Sequence, residues 1–296
     1  MGVLTSTAVL AAVALLCSTL LADETQPQRD QVVLTASVVD GEGKQLGTLS
    51  ASDFIVLEDG AEQKITSVTR AGDVPITLAI LLDSSNSMRG EFSKSQAMAI
   101  DCARRLRPGD TASFTGFESR VERLQDFTGD SAQLERAIGR VRQRGSTALL
   151  NAIVLTLRDL RALATSVGNT RRRVMVVLSD GDDTSSLTPF SEVLDRARRD
   201  DTIIYAVTTS NRPPRTRDEA EFGQLARETG GRRLAPDGST APSEVCGRMF
   251  DDLAHQYAVQ YVSSNRQRDG KWRRVDLRVN VLGAKVFART GYFASK

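Results

Sequence analysis

The sequence predicts an α/β protein: a doubly wound, mostly parallel, Rossmann-like sheet flanked by helices, plus a small β-sandwich built from the N- and C-terminal strands. Two observations carry this. Between Pro75 and Gln256, uninterrupted apolar strands alternate with amphipathic helices, the pattern of a parallel sheet covered on both faces. Outside that span both chain ends return to strand-like runs, and neither end alone buries enough surface to offset its ordering entropy. The implied division is an export signal over 1–22, an N-terminal β segment over 23–74, the α/β domain over 75–256 and a C-terminal β segment over 257–296 that pairs with 31–70.

Taken in order, the first residues carry no charged side chain before Asp23, and Ala8 to Leu16 is an unbroken Ala/Val/Leu run. This reads as an export signal with Ala22 at the cleavage position, although Leu20 and the lack of Lys or Arg fit that pattern imperfectly. An uncleaved membrane anchor is the alternative. Cys17 follows Leu16, a residue too bulky for lipid attachment there. QVVLTASVVD from Gln31 is a strand, Gly41 and Gly43 mark a turn, and DFIVLEDG and QKITSV flank Asp59-Gly60, a hairpin signal.

In the middle, ITLAILLD is a strand, SKSQAMAIDCARRL a helix, and DTASFTGF and VERLQDF strands. AQLERAIGRV is a helix with Leu134, Ile138 and Val141 on one face, followed by helix ALLNAIVLTLRDLRAL and strand VMVVLSD. FSEVLDRAR (helix), TIIYAVTTS (strand), FGQLARETG (helix, stopped by Gly230 and Gly231), RRLAP (short strand) and SEVCGRMFDDLAHQ (helix) complete the set. NRPPRTRD at 211–218 reads as a surface loop. In the tail, YAVQYVSS, KWRRVDLRVNV and KVFARTGYF are strands, with a turn at Asp269-Gly270. Trp272 is expected to fill the sandwich, and Lys271, Arg273, Arg274 and Arg278 to form a solvated strand face.

Composition narrows the function. Lys+Arg at 39 against Asp+Glu at 37 leaves a net charge of +2, too little for nucleic-acid binding through bulk attraction. A single histidine, His255, and three cysteines exclude most His-rich and four-cysteine metal sites and make any Ser-His-Asp triad hang on one residue. His255 itself reads as a packing or surface residue. No G-x-S-x-G elbow, phosphate loop or G-x-G-x-x-G motif occurs. Once the signal is removed, Cys102 and Cys246 remain; they form either a disulfide or two small buried helix residues, and the sequence leaves both open.

In doubly wound sheets ligands gather at the carboxyl ends of strands. The first α/β strand ends LLDSSNSM, placing Asp83, Ser85 and Ser87 on one short loop. GST at 145–147 and LSDGDD at 178–183 bring further oxygen donors. Hard oxygen ligands suit Mg²⁺, Mn²⁺ or Ca²⁺ rather than zinc or copper. DSSNS resembles the D-x-S-x-S signature of the von Willebrand factor type A domain, and Thr147 and Asp180 stand where that family places the remaining ligands of its metal-ion-dependent adhesion site. The flanking SASDFIVLEDGAEQKITSV, DGKWRRVDLRVN and ARTGYFA are similar to framing segments of bacterial, exported members of the group. Asn86 departs from the glycine usual there.

The resemblance implies that Ser85, Ser87 and Thr147 bind the ion directly, while Asp83 and Asp180 act partly through ordered water. Mg²⁺ is the first expectation, with Ca²⁺ or Mn²⁺ as alternatives, and an open coordination position is filled by an Asp or Glu of a protein partner. The implied role is adhesion or assembly in the periplasm or outside the cell: binding without catalysis, with no small-molecule substrate, no nucleic acid, and membrane contact only through an uncleaved N-terminus. Three rival readings stand beside it. The same residues cap helices; the chain is a metal-independent envelope scaffold; or D-x-D-x-T at Asp180, Asp182 and Thr184 marks a Mg²⁺-dependent phosphatase, with Asp180 as nucleophile and Asp182 as general acid/base. The phosphatase reading lacks its later acidic pair, since the next strand ends TTSN and Asp251-Asp252 fall within a helix.

Overall fold

The computed structural model describes residues 31–167, 171–236 and 241–296; the expected export signal, with Cys17 and Ala22, lies outside them. Among the described residues no helix is long and apolar enough to cross a membrane. The chain runs β1 (Gln31–Val39), β2 (Phe54–Glu58), β3 (Ala61–Gln63), β4 (Ile65–Arg70), β5 (Ile76–Asp83), α1 (Phe92–Arg104), β6 (Thr111–Phe117), β7 (Val121–Thr128), α2 (Ser131–Arg140) and α3 (Leu149–Val167). It continues through β8 (Arg172–Leu178), α4 (Phe190–Arg199), β9 (Thr202–Val207), α5 (Arg217–Glu228), β10 (Arg233–Leu234), α6 (Pro242–Ala254), β11 (Tyr257–Val262), β12 (Trp272–Val279), β13 (Lys285–Ala288) and β14 (Gly291–Phe293).

Six strands form the central sheet in the order β10-β9-β8-β5-β6-β7. All neighbours are parallel except the edge strand β7, which returns antiparallel to β6. β5 lies at its heart, and every one of its residues is buried. Alternate side chains feed opposite layers, as the two-residue repeat of a strand requires. Ile76, Leu78, Ile80 and Leu82 pack with residues of α1, α2 and α6, whereas Ala79 and Leu81 pack with residues of α3, α4 and α5.

The terminal strands build two further four-stranded sheets, β13-β1-β11-β4 and β14-β12-β2-β3. Each draws on both chain ends: β1 runs antiparallel to β11 from Gln31↔Val262 to Ala36↔Tyr257, and β12 runs antiparallel to β2. Leu34, Val38, Val56, Tyr257, Tyr261 and Leu277 fill the space between the layers. At the β2–β3 turn, Asp59 and Gly60 both have positive φ, 48° and 88°, the two left-handed residues that a tight hairpin needs.

Four details differ from the sequence expectation. QKITSV is two strands, not one: the chain leaves the β2 layer at Gln63 and enters the β11 layer at Ile65. KVFARTGYF also divides, because Arg289 and Thr290 pair with Thr229 and Glu228 at the end of α5 instead of continuing the strand. Trp272 does not fill the sandwich. Alternation along β12 turns Arg273, Val275 and Leu277 inward, so Trp272 faces α4, edge-on to Phe293 at 5.0 Å and beneath the Arg198 guanidinium at 4.7 Å. The same alternation buries Arg273, which bonds Asp269 Oδ1 at 2.9 Å and the Gln267 carbonyl at 3.2 Å; it is not part of a solvated face.

Both passages between the sandwich and the α/β domain meet at Arg172. Its guanidinium donates to the carbonyls of Gly72 (3.2 Å) and Val74 (2.9 Å) on one passage, and to Leu253 O (2.7 Å) and Gln256 Oε1 (2.8 Å) on the other. Gly72 is required beside it, since a Cβ there would lie 1.9 Å from Ala254 O. Cys102 on α1 and Cys246 on α6 form a disulfide with a Cα–Cα separation of 5.3 Å. His255 closes α6, its Nδ1 2.9 Å from Asp251 O.

Candidate metal centre

β5 delivers Asp83 to the carboxyl end of the sheet, and the chain turns through Ser84 and Ser85 into a 3-10 turn over Asn86–Met88. Asp83 is fully buried. Its Oδ1 accepts the Ser85 amide at 2.9 Å, which bends the loop back on itself, and its Oδ2 accepts the Ser179 hydroxyl at 2.6 Å. The Ser85 and Ser87 hydroxyls are 2.8 Å apart, and the Ser87 hydroxyl lies close enough to the Asp180 carboxylate to favour its charged form. Asp83, Ser85 and Ser87 thus form one hydrogen-bonded set, and a second loop brings Asp180 beside it.

The Thr147 loop packs against both. Arg144 N donates to Ser84 O at 2.7 Å, and Asn86 N donates to Gly145 O at 3.0 Å. Gly145 has φ +74° and lies against Glu118, where a Cβ would collide with the carboxylate. Thr147 N donates to Thr184 Oγ1 at 2.9 Å, and Thr147 O accepts the amides of Thr184 and Ser185. Thr147 is buried; its hydroxyl makes no hydrogen bond to the other four residues among the described residues.

Charge is the distinctive property of the set. Burial pushes the Asp83 carboxyl up to about 6, partly opposed by its hydroxyl and amide donors and reinforced by the charge of Asp180. Burial likewise raises Asp180, with Asp182 and Glu219 adding repulsion. Neither carboxylate forms an ion pair among the described residues; hydroxyls and amides alone support them. A desolvated pair of like charges is costly without a cation. Two carboxylates and neighbouring hydroxyls are hard oxygen donors, the chemistry that suits a divalent ion. No three His, Cys, Asp or Glu side chains gather as a metal-binding group among the described residues, so such an ion would rely on serine and threonine oxygens.

Helix capping does not account for Ser85 and Ser87. Ser85 precedes the 3-10 turn without a side-chain cap bond, and α1 starts after Glu91.

Residues 78–182 match the family model described as the von Willebrand factor type A domain. The chain carries a von Willebrand factor type A domain. A von Willebrand factor type A protein from Catenulispora acidiphila has the same fold at 12% identity and TM-score 0.51, covering 92% of this chain and 75% of that one. An aerotolerance-related membrane protein from Bacteroides fragilis aligns at 16% identity and TM-score 0.47, covering 60% and 98%. Proximal thread matrix protein 1 from the mussel byssus, with a zinc-occupied MIDAS motif, aligns at 14% identity and TM-score 0.48, covering 64% and 48%. No curated relative matches the sequence.

The von Willebrand domain also uses residues to which the sequence reading gives no supporting role: Ser179 is not singled out, and Thr184 enters only through the phosphatase motif. Ser179 holds Asp83 and accepts the Gly181 amide at 3.1 Å. Thr184 clamps Thr147, and Asp183 Oδ2 accepts the Leu150 amide at 3.0 Å, capping α3 from a distant loop. For Asp183 a signal existed: α3 opens with orphan amides that need an acceptor. A serine after a strand carries none.

Proposed function

We propose that this protein is an exported, divalent-cation-dependent binding module that captures a carboxylate of a protein partner. The observation that carries the reading is the convergence of a fully buried carboxylate, Asp83, and a half-buried one, Asp180, neither ion-paired among the described residues, beside a serine-rich loop at the carboxyl end of the sheet. Asp83, Ser85, Ser87, Thr147 and Asp180 would hold the ion, Mg²⁺ foremost. A bound ion there supplies a Lewis-acidic centre able to accept a carboxylate oxygen from an Asp or Glu. The chain's own residues position the donors: Asp83 shapes the loop through the Ser85 amide, Ser179 fixes Asp83, and Thr184 fixes Thr147. A disulfide between Cys102 and Cys246 fits an oxidising compartment, the periplasm or the exterior.

Binding is preferred over phosphatase chemistry because the residues that chemistry needs are otherwise engaged. Asp182 Oδ1 accepts the Thr216 hydroxyl at 2.9 Å, and the Thr184 hydroxyl accepts the Thr147 amide. The test is calorimetric titration of Mg²⁺ and Mn²⁺ into the full chain and into a Ser85→Ala/Ser87→Ala variant, paired with partner capture in Mg²⁺ and in EDTA. Uptake and capture are expected in the wild type and lost in the variant and in chelator. Capture unchanged by both sinks the reading in favour of a metal-independent scaffold.

A further inference from the structure

The loop that carries Thr147 forms, on its other side, one wall of a groove of about 250 Å³. The groove neighbours the candidate centre along the chain: Ser84, which lines it, stands between Asp83 and Ser85, and the Ser84 carbonyl accepts the amide of Arg144, another lining residue, at 2.7 Å. Its floor is aliphatic: Leu124 is 38% exposed, unusual for its type, beside Val141. Its walls carry Arg120, Arg140, Arg142 and Arg144. Arg120 and Arg140 are exposed, and their side chains make no ion pair or hydrogen bond among the described residues. Among the described residues Arg142 bonds only the backbone carbonyls of Gly139 and Val141. Arg144 faces Glu118 at 3.5 Å while remaining 71% exposed. Four arginines against Glu118 and Glu122 leave a surplus of two positive charges, as large as the net charge of the whole chain, +2.

Arginine guanidiniums held around an apolar floor match a chain that offers carboxylates and aliphatic stems together. No aromatic side chain lines the groove to stack a base, which disfavours single-stranded nucleic acid. We propose that the groove is a second anchoring point for the protein partner: an extended acidic segment places one carboxylate at the centre formed by Asp83, Ser85, Ser87 and Asp180, and lays further Asp or Glu side chains against Arg120, Arg140 and Arg142. This rests on the cation-dependent reading for the first anchor. Each exposed pair alone changes affinity only a few-fold. Two anchors on one segment reinforce each other, because engaging the first raises the local concentration of the second.

The experiment is fluorescence anisotropy of a labelled hexaglutamate peptide on the full chain, in Mg²⁺ and in EDTA. It is repeated with an Arg120→Glu/Arg140→Glu variant, and with Arg142→Gln in case the double reversal disturbs folding. Expected are a roughly tenfold or greater loss of affinity in the double variant, weakening with salt in the wild type, and unchanged Mn²⁺ uptake by calorimetry. Magnesium-dependent binding that ignores the arginine variants overturns the groove and leaves the cation reading standing. Binding that falls in the variants but survives EDTA overturns the two-anchor mode through its cation half. Absence of peptide binding, or tighter binding of a single-stranded oligonucleotide, overturns the assignment of the partner.

Discussion

The hydroxyl of Ser179 donates a 2.6 Å hydrogen bond to Oδ2 of Asp83, tying together the two strand ends that carry both carboxylates of the candidate centre. Outer partners of this kind fix a ligand's orientation, and losing one typically costs ten- to a hundredfold in metal affinity. Ser179→Ala is therefore expected to weaken Mn²⁺ uptake about tenfold with the circular dichroism spectrum unchanged. Calorimetric titration reads this, and undiminished uptake would show that Ser179 only packs.

The pH dependence of Asp83 follows from its burial. Its folded-state value, about 6, lies above the ordinary 3.8. The stability this carboxyl contributes is thus present below pH about 4 and lost as pH rises through about 6, because the folded protein holds the proton more tightly. In EDTA, Asp83→Asn is expected to gain stability relative to the wild type over this window, by about 3 kcal/mol in all. Saturating Mg²⁺ at neutral pH reverses the order, since the ion stabilises only the protein that binds it. Urea denaturation across the window checks both; a flat difference contradicts the burial argument.

The Cys102–Cys246 disulfide closes a span of 144 residues and restricts the unfolded chain. Replacing both cysteines with serine is expected to cost about 3 kcal/mol, a fall of about 10 °C in Tm for a chain of this size. Scanning calorimetry with and without reductant measures it. Reduction should reproduce the double substitution in the wild type and do nothing to the variant.

Glu58 lies 2% exposed within the sandwich and accepts three hydroxyls: Tyr261 at 2.9 Å, Tyr292 at 2.9 Å and Ser263 at 2.6 Å. Removing the acceptor strands the donors, whereas removing one donor loses a single bond. Glu58→Ala is expected to destabilise by about 3 kcal/mol and Tyr261→Phe by about 1 kcal/mol. Equal losses in chemical denaturation would refute the shared network.

Trp272 is the one tryptophan in the chain, and Arg198 lies 4.7 Å over its ring from across the domain boundary. Arg198→Ala exposes the indole to water and is expected to move its emission to longer wavelength. An unshifted spectrum would mean that the ring is shielded without Arg198.

How much of this was legible depends on where the information sits. The alternation of ITLAILLD with its helices is local, so the doubly wound sheet could be read, and Asp83, Ser85, Ser87 and Asp180 stand at strand ends where a short motif suffices. The split of QKITSV at Lys64 and of KVFARTGYF at Arg289–Thr290 was not legible, because both halves carry strand propensity and the choice of layer is made by distant partners such as Glu228. The facing of Trp272 is fixed by the parity of β12, which only the pairing reveals. Ser179 and Thr184 act through bonds to residues 96 and 37 positions away, a separation that no sequence window spans.

Arg172 gathers both passages into the α/β domain at the end of the sheet where β5 begins, and the candidate centre stands at the end where β5 stops, about 25 Å away for an eight-residue strand. Entry and exit therefore coincide at one pole and the candidate metal centre occupies the other. Mechanical tension applied to the first and last strands, β1 and β14, would run through the interleaved sheets of the sandwich and bypass the α/β domain.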